Sequence, residues 1–280
     1  MPTSDAAIVA KGREVRDKAV EKWLELDAGF CAAFPEFESA VRDEFDAVVA
    51  RFERYTGRDP AGIQTMRDHL VNTVSTFGGV VAADIDALHD RTDDWLGPAG
   101  DDIDTWLYRL EQVNGNQVFL MGVLEKALEM TQALVAGSRD EIVSIGDGAL
   151  AALDALDESE DSGFSFGAVL VAAVLVVTGA VVTVATAGAA APTVAASLTV
   201  AVAAVNFGAS VQAEVDRRNL RIAGGDVFEV LESMNAAIDA LREITSDTQD
   251  QIAEWIEEDI AKVEQLRHWF VPPCPDAARA

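Results

Sequence analysis

Residues 164–187 read FSFGAVLVAAVLVVTGAVVTVATA, and this apolar stretch decides how the rest of the chain is interpreted. It lies within 52 residues, 162–213, that contain no Asp, Glu, Lys or Arg. A helix of about 20 apolar residues spans the hydrocarbon core of a bilayer, so the first half is long enough to do so. Pro192 interrupts the segment after several small residues, and the second half is more polar. The pattern predicts a central apolar helical hairpin.

This hairpin is open to several interpretations. Its thirteen valines are compatible with strands, but alanine is more abundant and polar residues do not alternate with apolar ones, so helices are preferred. As helices, the hairpin is a constitutive transmembrane element, an element that inserts on meeting a membrane, or a buried core hairpin. The residues assigned to this membrane hairpin are Phe164, Phe166, Leu170, Leu175, Gly179, Pro192, Leu198 and Phe207.

Amphipathic helices are predicted on both sides of the hairpin. Residues 101–156 and 227–266 carry apolar or small side chains at spacings of three, four and seven, which mark one face of a helix. Asp226 follows two glycines and is a suitable N-cap for the second of these helices. Additional helices are predicted over 4–33, 36–55 and 59–91.

The predicted fold is therefore all-α, an elongated bundle of long antiparallel helices around the apolar hairpin. Four segments are expected: N-terminal helices over 1–58, a helical hairpin over 59–157, the apolar hairpin over 158–213, and an amphipathic helix with a Pro-rich tail over 214–280. Residues 1–22 have mixed charge and no apolar core, so no classical signal peptide is expected.

Charge and composition exclude several classes of function. The 48 acidic and 21 basic residues give a formal charge of −27, which repels phosphate backbones, so no nucleic-acid partner is expected. Cys31 and Cys274 stand at opposite ends of the chain, and the three histidines show no metal-ligand spacing. We therefore expect no enzyme activity, metal, cofactor or small-molecule substrate.

Two short matches to catalytic or metal motifs fail in context. Residues 163–167 spell G-x-S-x-G, but the nucleophile elbow needs a strand before it and a helix after it, whereas an acidic loop and an apolar segment flank it here. Residues 157–163 have acids or Ser at alternate positions, yet the glycine comes one place late and the twelfth position is Ala168. A solvated acidic linker is the better interpretation.

The most informative short motif is Trp95-Leu96-Gly97, followed by Pro98. It separates two predicted amphipathic helices, where Gly97 can adopt positive φ and Pro98 suits the first turn of the next helix. The Trp95 ring is expected to cover the open end of the helical hairpin.

With this turn and with Asn114, Asn116 and Gln117 on the helix that follows, residues 59–156 resemble the WXG family of helical hairpins. Proteins of this family are exported by type VII secretion in actinobacteria, and the longer secretion-associated members are the most similar. The resemblance implies a non-enzymatic protein that binds a helical partner or a second copy of itself, and that is secreted or associated with the cell envelope.

The export signal departs from the family pattern. Members carry Tyr-x-x-x-Asp/Glu just after the second helix, whereas Tyr55 and Asp59 have this spacing before the hairpin and Tyr108 is followed at that spacing by Gln112. The resemblance therefore implies a partner that supplies the signal.

A long bundle with an apolar hairpin also resembles the architecture of α-helical pore-forming toxins. Three functions follow as hypotheses: a WXG-like protein of type VII secretion acting at or across a membrane, a toxin component that inserts residues 164–213 into membrane lipid, and a membrane-anchored helical scaffold.

Overall fold

The computed structural model describes residues 3–26, 35–158, 169–170, 221–222 and 224–272. The all-α class predicted from the sequence is confirmed. The α-helices are α1 (Asp5–Leu26), α2 (Pro35–Glu53), α3 (Pro60–Ser75), α4 (Ala82–Thr92), α5 (Pro98–Glu158) and α6 (Val227–Gln265). A π-helical segment, Thr76–Val81, joins α3 to α4, and a 3₁₀ turn, Arg267–Trp269, follows α6.

The helix boundaries agree with the expected start and stop signals. Helix α6 begins after Asp226, whose carboxylate accepts a hydrogen bond of 2.8 Å from the backbone N–H of Glu229. The Glu229 carboxylate in turn accepts one of 2.6 Å from the N–H of Gly225. This reciprocal capping satisfies donors that a helix start otherwise leaves free. The predicted helix over 59–91 is present, but it contains the π-helical segment that its sequence did not indicate.

One part of the helical prediction is wrong. Val169–Leu170 pairs antiparallel with Arg221–Ile222, so Leu170 is extended rather than helical. A β-branched residue stands in each strand, and such residues fit an extended backbone well. The side chain of Ile222 is fully buried, which stabilises this short pairing.

The remaining residues assigned to the membrane hairpin lie outside the described residues: Phe164, Phe166, Leu175, Gly179, Pro192, Leu198 and Phe207. Among the helices that the structure does describe, none combines the length and the apolar character needed to cross a bilayer.

The chain divides into two compact units. Of the described residues, the first unit contains α1, α2, residues 133–158 of α5, the β pair and residues 224–248, which include the first part of α6. Helix α1 packs against α2, and the core of the unit is formed by fully buried side chains from these helices: Ile8, Val15, Phe45, Phe52, Ile142, Ile145, Met234 and Leu241.

The second unit contains α3, the π-helical segment, α4, residues 98–132 of α5 and residues 249–272. Its packing is looser in the described part. Helix α3 buries no residue, and α4 buries only Ile85. Ten large apolar side chains of this unit are exposed: Met66, Val71, Val80, Leu88, Trp95, Leu96, Tyr108, Leu124, Ile260 and Val271. This unit holds the candidate sites described next.

Candidate partner-binding surfaces of the Trp95 hairpin

Helices α3 and α4 fold back along α5 as an antiparallel hairpin, and we refer to residues 60–132 as the Trp95 hairpin. Three contacts between its two arms fix its register. In each contact, the midpoint in sequence between the two residues lies within one residue of Leu96. They join Arg67 to Glu125 at 3.2 Å, Asn114 to the carbonyl of Phe77 at 3.0 Å, and His89 to Asp104 at 3.2 Å. The turn that the sequence predicted at Trp95-Leu96-Gly97 is therefore the bend of this hairpin.

Two glycines shape the bend. Gly97 has φ of +92°, a conformation that side chains with a Cβ rarely adopt. Its carbonyl accepts hydrogen bonds from the N–H groups of Gly100 and Asp101, at 2.9 and 3.1 Å, and these start α5. A Cβ at Gly100 would collide with the carbonyl of Trp95, so only glycine fits there without a shift of the turn.

The Trp95 ring does not cover the end of the hairpin, and this expectation is wrong. Trp95 is 56% exposed and Leu96 is 94% exposed. Both side chains therefore keep more than half of their surface exposed at the bend. Large apolar side chains that are exposed together in this way are a feature of binding surfaces.

The bend is strongly acidic. Residues 90–104 contain six aspartates and one arginine. Asp93, Asp94, Asp101 and Asp102 are exposed and form no ion pair within the described part of the chain. We refer to residues 93–102 as the Trp95 tip, a pair of apolar side chains flanked by uncompensated negative charge.

The π-helical segment is held by Asn114. A π-helical turn shifts hydrogen bonds out of the α pattern, and such turns occur frequently at functional sites. The carbonyl of Phe77, inside the segment, accepts a hydrogen bond of 3.0 Å from the side-chain amide of Asn114. Asn114 is 7% exposed, so this bond lies in the interface between the two arms of the hairpin.

Asn116 and Gln117 hold the chain after α6 against α5. The Asn116 side-chain amide donates to the carbonyl of Trp269 at 2.9 Å, and that of Gln117 donates to the carbonyl of Phe270 at 2.8 Å. Both carbonyls follow a helix end, where backbone acceptors lack helical partners. The three amide residues that carried the family resemblance thus each bind a backbone carbonyl.

An apolar groove of about 460 Å³ lies in the second unit. Nine residues line it, four from α3, four from α5 and one from α6: Met66, His69, Leu70, Thr73, Leu124, Ala127, Leu128, Thr131 and Ile256. On both α3 and α5 the lining residues lie at i, i+3, i+4 and i+7, so one face of each helix forms a long side of the groove. A groove of this kind accepts the apolar face of another helix. We refer to it as the apolar groove.

A second, larger cavity of about 900 Å³ lies beside the end of α6. Its lining comes from α5 and from the chain after residue 264: Arg109, Gln112, Val113, Gln265, Arg267, His268, Trp269, Val271 and Pro272. Among the described residues, this lining contains two arginines, a histidine and no acid, although acids outnumber basic residues by more than two to one in the whole chain. We refer to it as the C-terminal pocket.

The first unit contains a buried arginine that the sequence did not single out. Arg139 is 4% exposed, and its guanidinium donates to the Asp5 carboxylate, to the carbonyl of Thr3 at 2.9 Å and to that of Arg58 at 2.8 Å. The pKa of Asp5 lies below its ordinary value, mainly because its carboxylate accepts a hydrogen bond from the N–H of Gly57. The hydrogen bond from Arg139 is the second cause. The cluster joins α1 and the α2–α3 connection to α5.

Two other groups of this unit have altered titration. Burial raises the pKa of Glu141 to about 7, and one of its carboxylate oxygens lacks a hydrogen-bond partner in the described part. Burial also raises the pKa of Tyr55 to about 12, and its hydroxyl donates to the carbonyl of Ile238 at 3.2 Å. Arg139 and Glu141 both lie beside the apolar stripe of α5. That position is the only feature of the sequence that indicates their burial.

The histidines lie apart from one another. His69 lines the apolar groove and His89 contacts Asp104. Among the described residues, no three His, Cys, Asp or Glu side chains are grouped closely enough to hold a metal ion.

Comparison of the chain with protein families, with curated proteins and with solved structures found no match.

Proposed function

We propose that this chain is a non-enzymatic, WXG-like helical protein associated with type VII secretion. It binds a helical partner through its Trp95 hairpin and acts at or across a membrane through residues 164–213. The observation that carries the proposal is the hairpin register, in which three separate contacts centre the bend on Leu96.

The apolar groove supports a helical partner. Its lining residues follow helical spacing on α3 and α5, and they leave apolar surface open, with Met66 54% exposed. Burying apolar surface stabilises a complex by about 25 cal/mol per Å² before the costs of association are subtracted. An amphipathic helix from a smaller Trp-x-Gly protein has the shape and chemistry that this groove requires.

Export is tested in an actinobacterial host that carries a type VII system. The chain is produced in the parent strain and in a strain lacking the secretion ATPase, each with and without a small Trp-x-Gly protein that carries Tyr-x-x-x-Asp/Glu. We expect the chain in the culture filtrate or envelope only when both the ATPase and the small protein are present. Equal export without the ATPase would contradict the proposal.

Partner binding is tested with a matched pair of substitutions. Met66→Asp places a charge in the apolar groove, whereas Ile260→Asp places one on α6 outside the groove lining, and the two positions are 54% and 55% exposed. We expect Met66→Asp to weaken binding of the small protein at least tenfold and Ile260→Asp to change it less than twofold. Equal effects would show that the partner binds elsewhere.

Membrane action is tested by flotation with liposomes. The comparison variant carries Leu175→Arg and Leu198→Arg, because an arginine near the middle of a membrane helix costs about 3 kcal/mol on insertion scales. We expect the unaltered protein to float with liposomes and the variant to remain in the dense fraction. A protein that is soluble alone and then inserts matches the toxin-like alternative, and one that requires detergent throughout matches the membrane-anchored scaffold.

A further inference from the structure

The second unit contains two surfaces of opposite charge and matching apolar character. The Trp95 tip presents Trp95 and Leu96 among aspartates that form no ion pair with any other described residue. The C-terminal pocket presents Trp269 and Val271 beside two arginines. Arg109 and Arg267 form no ion pair within the described residues, so both surfaces carry charge that is uncompensated there.

We propose that the Trp95 tip of one copy of this chain binds in the C-terminal pocket of a second copy. Trp95 and Leu96 enter the cavity and contact Trp269 and Val271, while the aspartates of the tip face Arg109 and Arg267. This self-association goes beyond the proposed function and does not require that the chain be exported.

Charge complementarity favours a second copy as the occupant. A chain with a formal charge of −27 repels its own copies, so a stable contact is favoured where a negative surface meets a positive one. The C-terminal pocket meets that requirement, since its described lining residues include cations and no acid. Aromatic and arginine side chains are also the residue types that dominate binding energy at interfaces.

The pocket is also suited to receive large side chains. Its volume of about 900 Å³ falls within the usual range of binding cavities. Its wall after α6 is held by Asn116 and Gln117, which bind the carbonyls of Trp269 and Phe270. The Phe270 side chain is 7% exposed and anchors the same wall. The pocket is thus formed before association, which reduces the ordering cost of binding.

The positions of the Trp95 tip and the C-terminal pocket along α5 allow a closed dimer. Trp95 and Leu96 lie just before Pro98, the first residue of α5, and the pocket begins at Arg109, eleven residues after Pro98. At 1.5 Å per residue the two surfaces lie about 16 Å apart along the helix axis. Two copies related by a twofold axis can therefore exchange tips, so that each tip–pocket contact forms twice.

The test is sedimentation velocity of the full chain at 50 and 500 mM NaCl. The tip variant carries Trp95→Ser and Leu96→Ser, and the pocket variant carries Arg109→Glu and Arg267→Glu. The control carries Tyr108→Ser and Leu88→Ser, because these side chains are exposed on the same hairpin but lie outside both surfaces. We expect a dimer that weakens with salt, a loss of at least tenfold in affinity for the tip and pocket variants, and a change below twofold for the control.

Mixing the two variants gives the sharper result. Neither variant alone retains a complete contact, but a mixed pair retains one, from the native tip of the pocket variant to the native pocket of the tip variant. We therefore expect a 1:1 complex on mixing that neither variant forms alone. Circular dichroism of each variant establishes that its helices are retained.

Three results would overturn the proposal. The first is an unaltered chain that stays monomeric at 200 μM and low salt. The second is a dimer that the tip and pocket substitutions leave intact, because association through residues 164–213 would not respond to them. The third is dimerisation only after removal of residues 273–280, which would identify those residues as the occupant of the pocket.

Discussion

The guanidinium of Arg139 binds the carboxylate of Asp5, and this pair ties the first turn of α1 to α5. Asp5 is separated from Arg139 by 134 residues and receives a second hydrogen bond, of 3.1 Å, from the N–H of Gly57. Arg139 also binds the carbonyls of Thr3 and Arg58. One buried cation thus brings three distant parts of the chain together.

Arg139→Ala is expected to lower the free energy of unfolding by about 2 to 3 kcal/mol, because it leaves three carbonyls and the Asp5 carboxylate without their charged donor. Urea denaturation followed by circular dichroism measures the change. Arg16→Ala is the control, since Arg16 forms its ion pairs with Asp17 and Asp46 at the surface, where such pairs contribute less than about 1 kcal/mol. Similar losses in the two variants would refute a special role for Arg139.

Glu141 makes stability fall as the pH rises. Burial raises its pKa to about 7 in the folded chain from an ordinary value of 4.5, so between these pH values the folded state binds the proton that the unfolded state has released. Below pH 4.5 Glu141 is protonated in both states and does not lower the free energy of unfolding. Above pH 7 it is ionised in both states, and the cost of burying its charge lowers the free energy of unfolding in full.

Glu141→Gln is therefore expected to match the unaltered chain near pH 4.5 and to exceed its stability at pH 8 by about 2 kcal/mol. Urea midpoints at the two pH values measure the difference. Glu254→Gln, at an exposed position of α6, should follow the unaltered chain at both. A Gln variant that gains nothing at pH 8 would show that Glu141 is solvated in the folded chain.

The bend of the Trp95 hairpin should tolerate alanine at neither of its two glycines. Gly97→Ala places a Cβ at positive φ, which costs about 1 kcal/mol, and Gly100→Ala costs more because the new Cβ meets the Trp95 carbonyl. Gly79→Ala is the contrasting change, since a Cβ there meets open space in a helical segment and should stabilise it slightly. Thermal denaturation ranks the three variants, and a Gly100→Ala protein as stable as Gly79→Ala would contradict the observed turn.

Asn116→Ala should loosen the chain after α6. It removes the donor to the Trp269 carbonyl from a fully buried position, and we expect a loss of about 1 to 2 kcal/mol. Hydrogen exchange of the peptide 262–272, measured by mass spectrometry, should become faster. Gln112→Ala, one turn earlier on α5, is the control and should leave that exchange unchanged.

Much of the helical architecture follows from local sequence. The stripe on residues 227–266 predicts the buried face of α6, where Val227, Met234, Leu241 and Ile252 are all buried. The bend at Gly97 and the start of α5 at Pro98 follow from the special backbone preferences of glycine and proline. These features depend on residues within a few positions of one another, so the sequence alone determines them.

Other features arise only where distant segments meet. Nothing near Arg139 in the sequence indicates Asp5 as its partner, and the C-terminal pocket joins Arg109 to Arg267 across 158 positions. Whether Trp95 is buried or exposed also depends on what packs beside the bend, which periodicity does not encode. Periodicity identifies the apolar face of each helix, but tertiary packing decides which faces meet and which remain open for a partner.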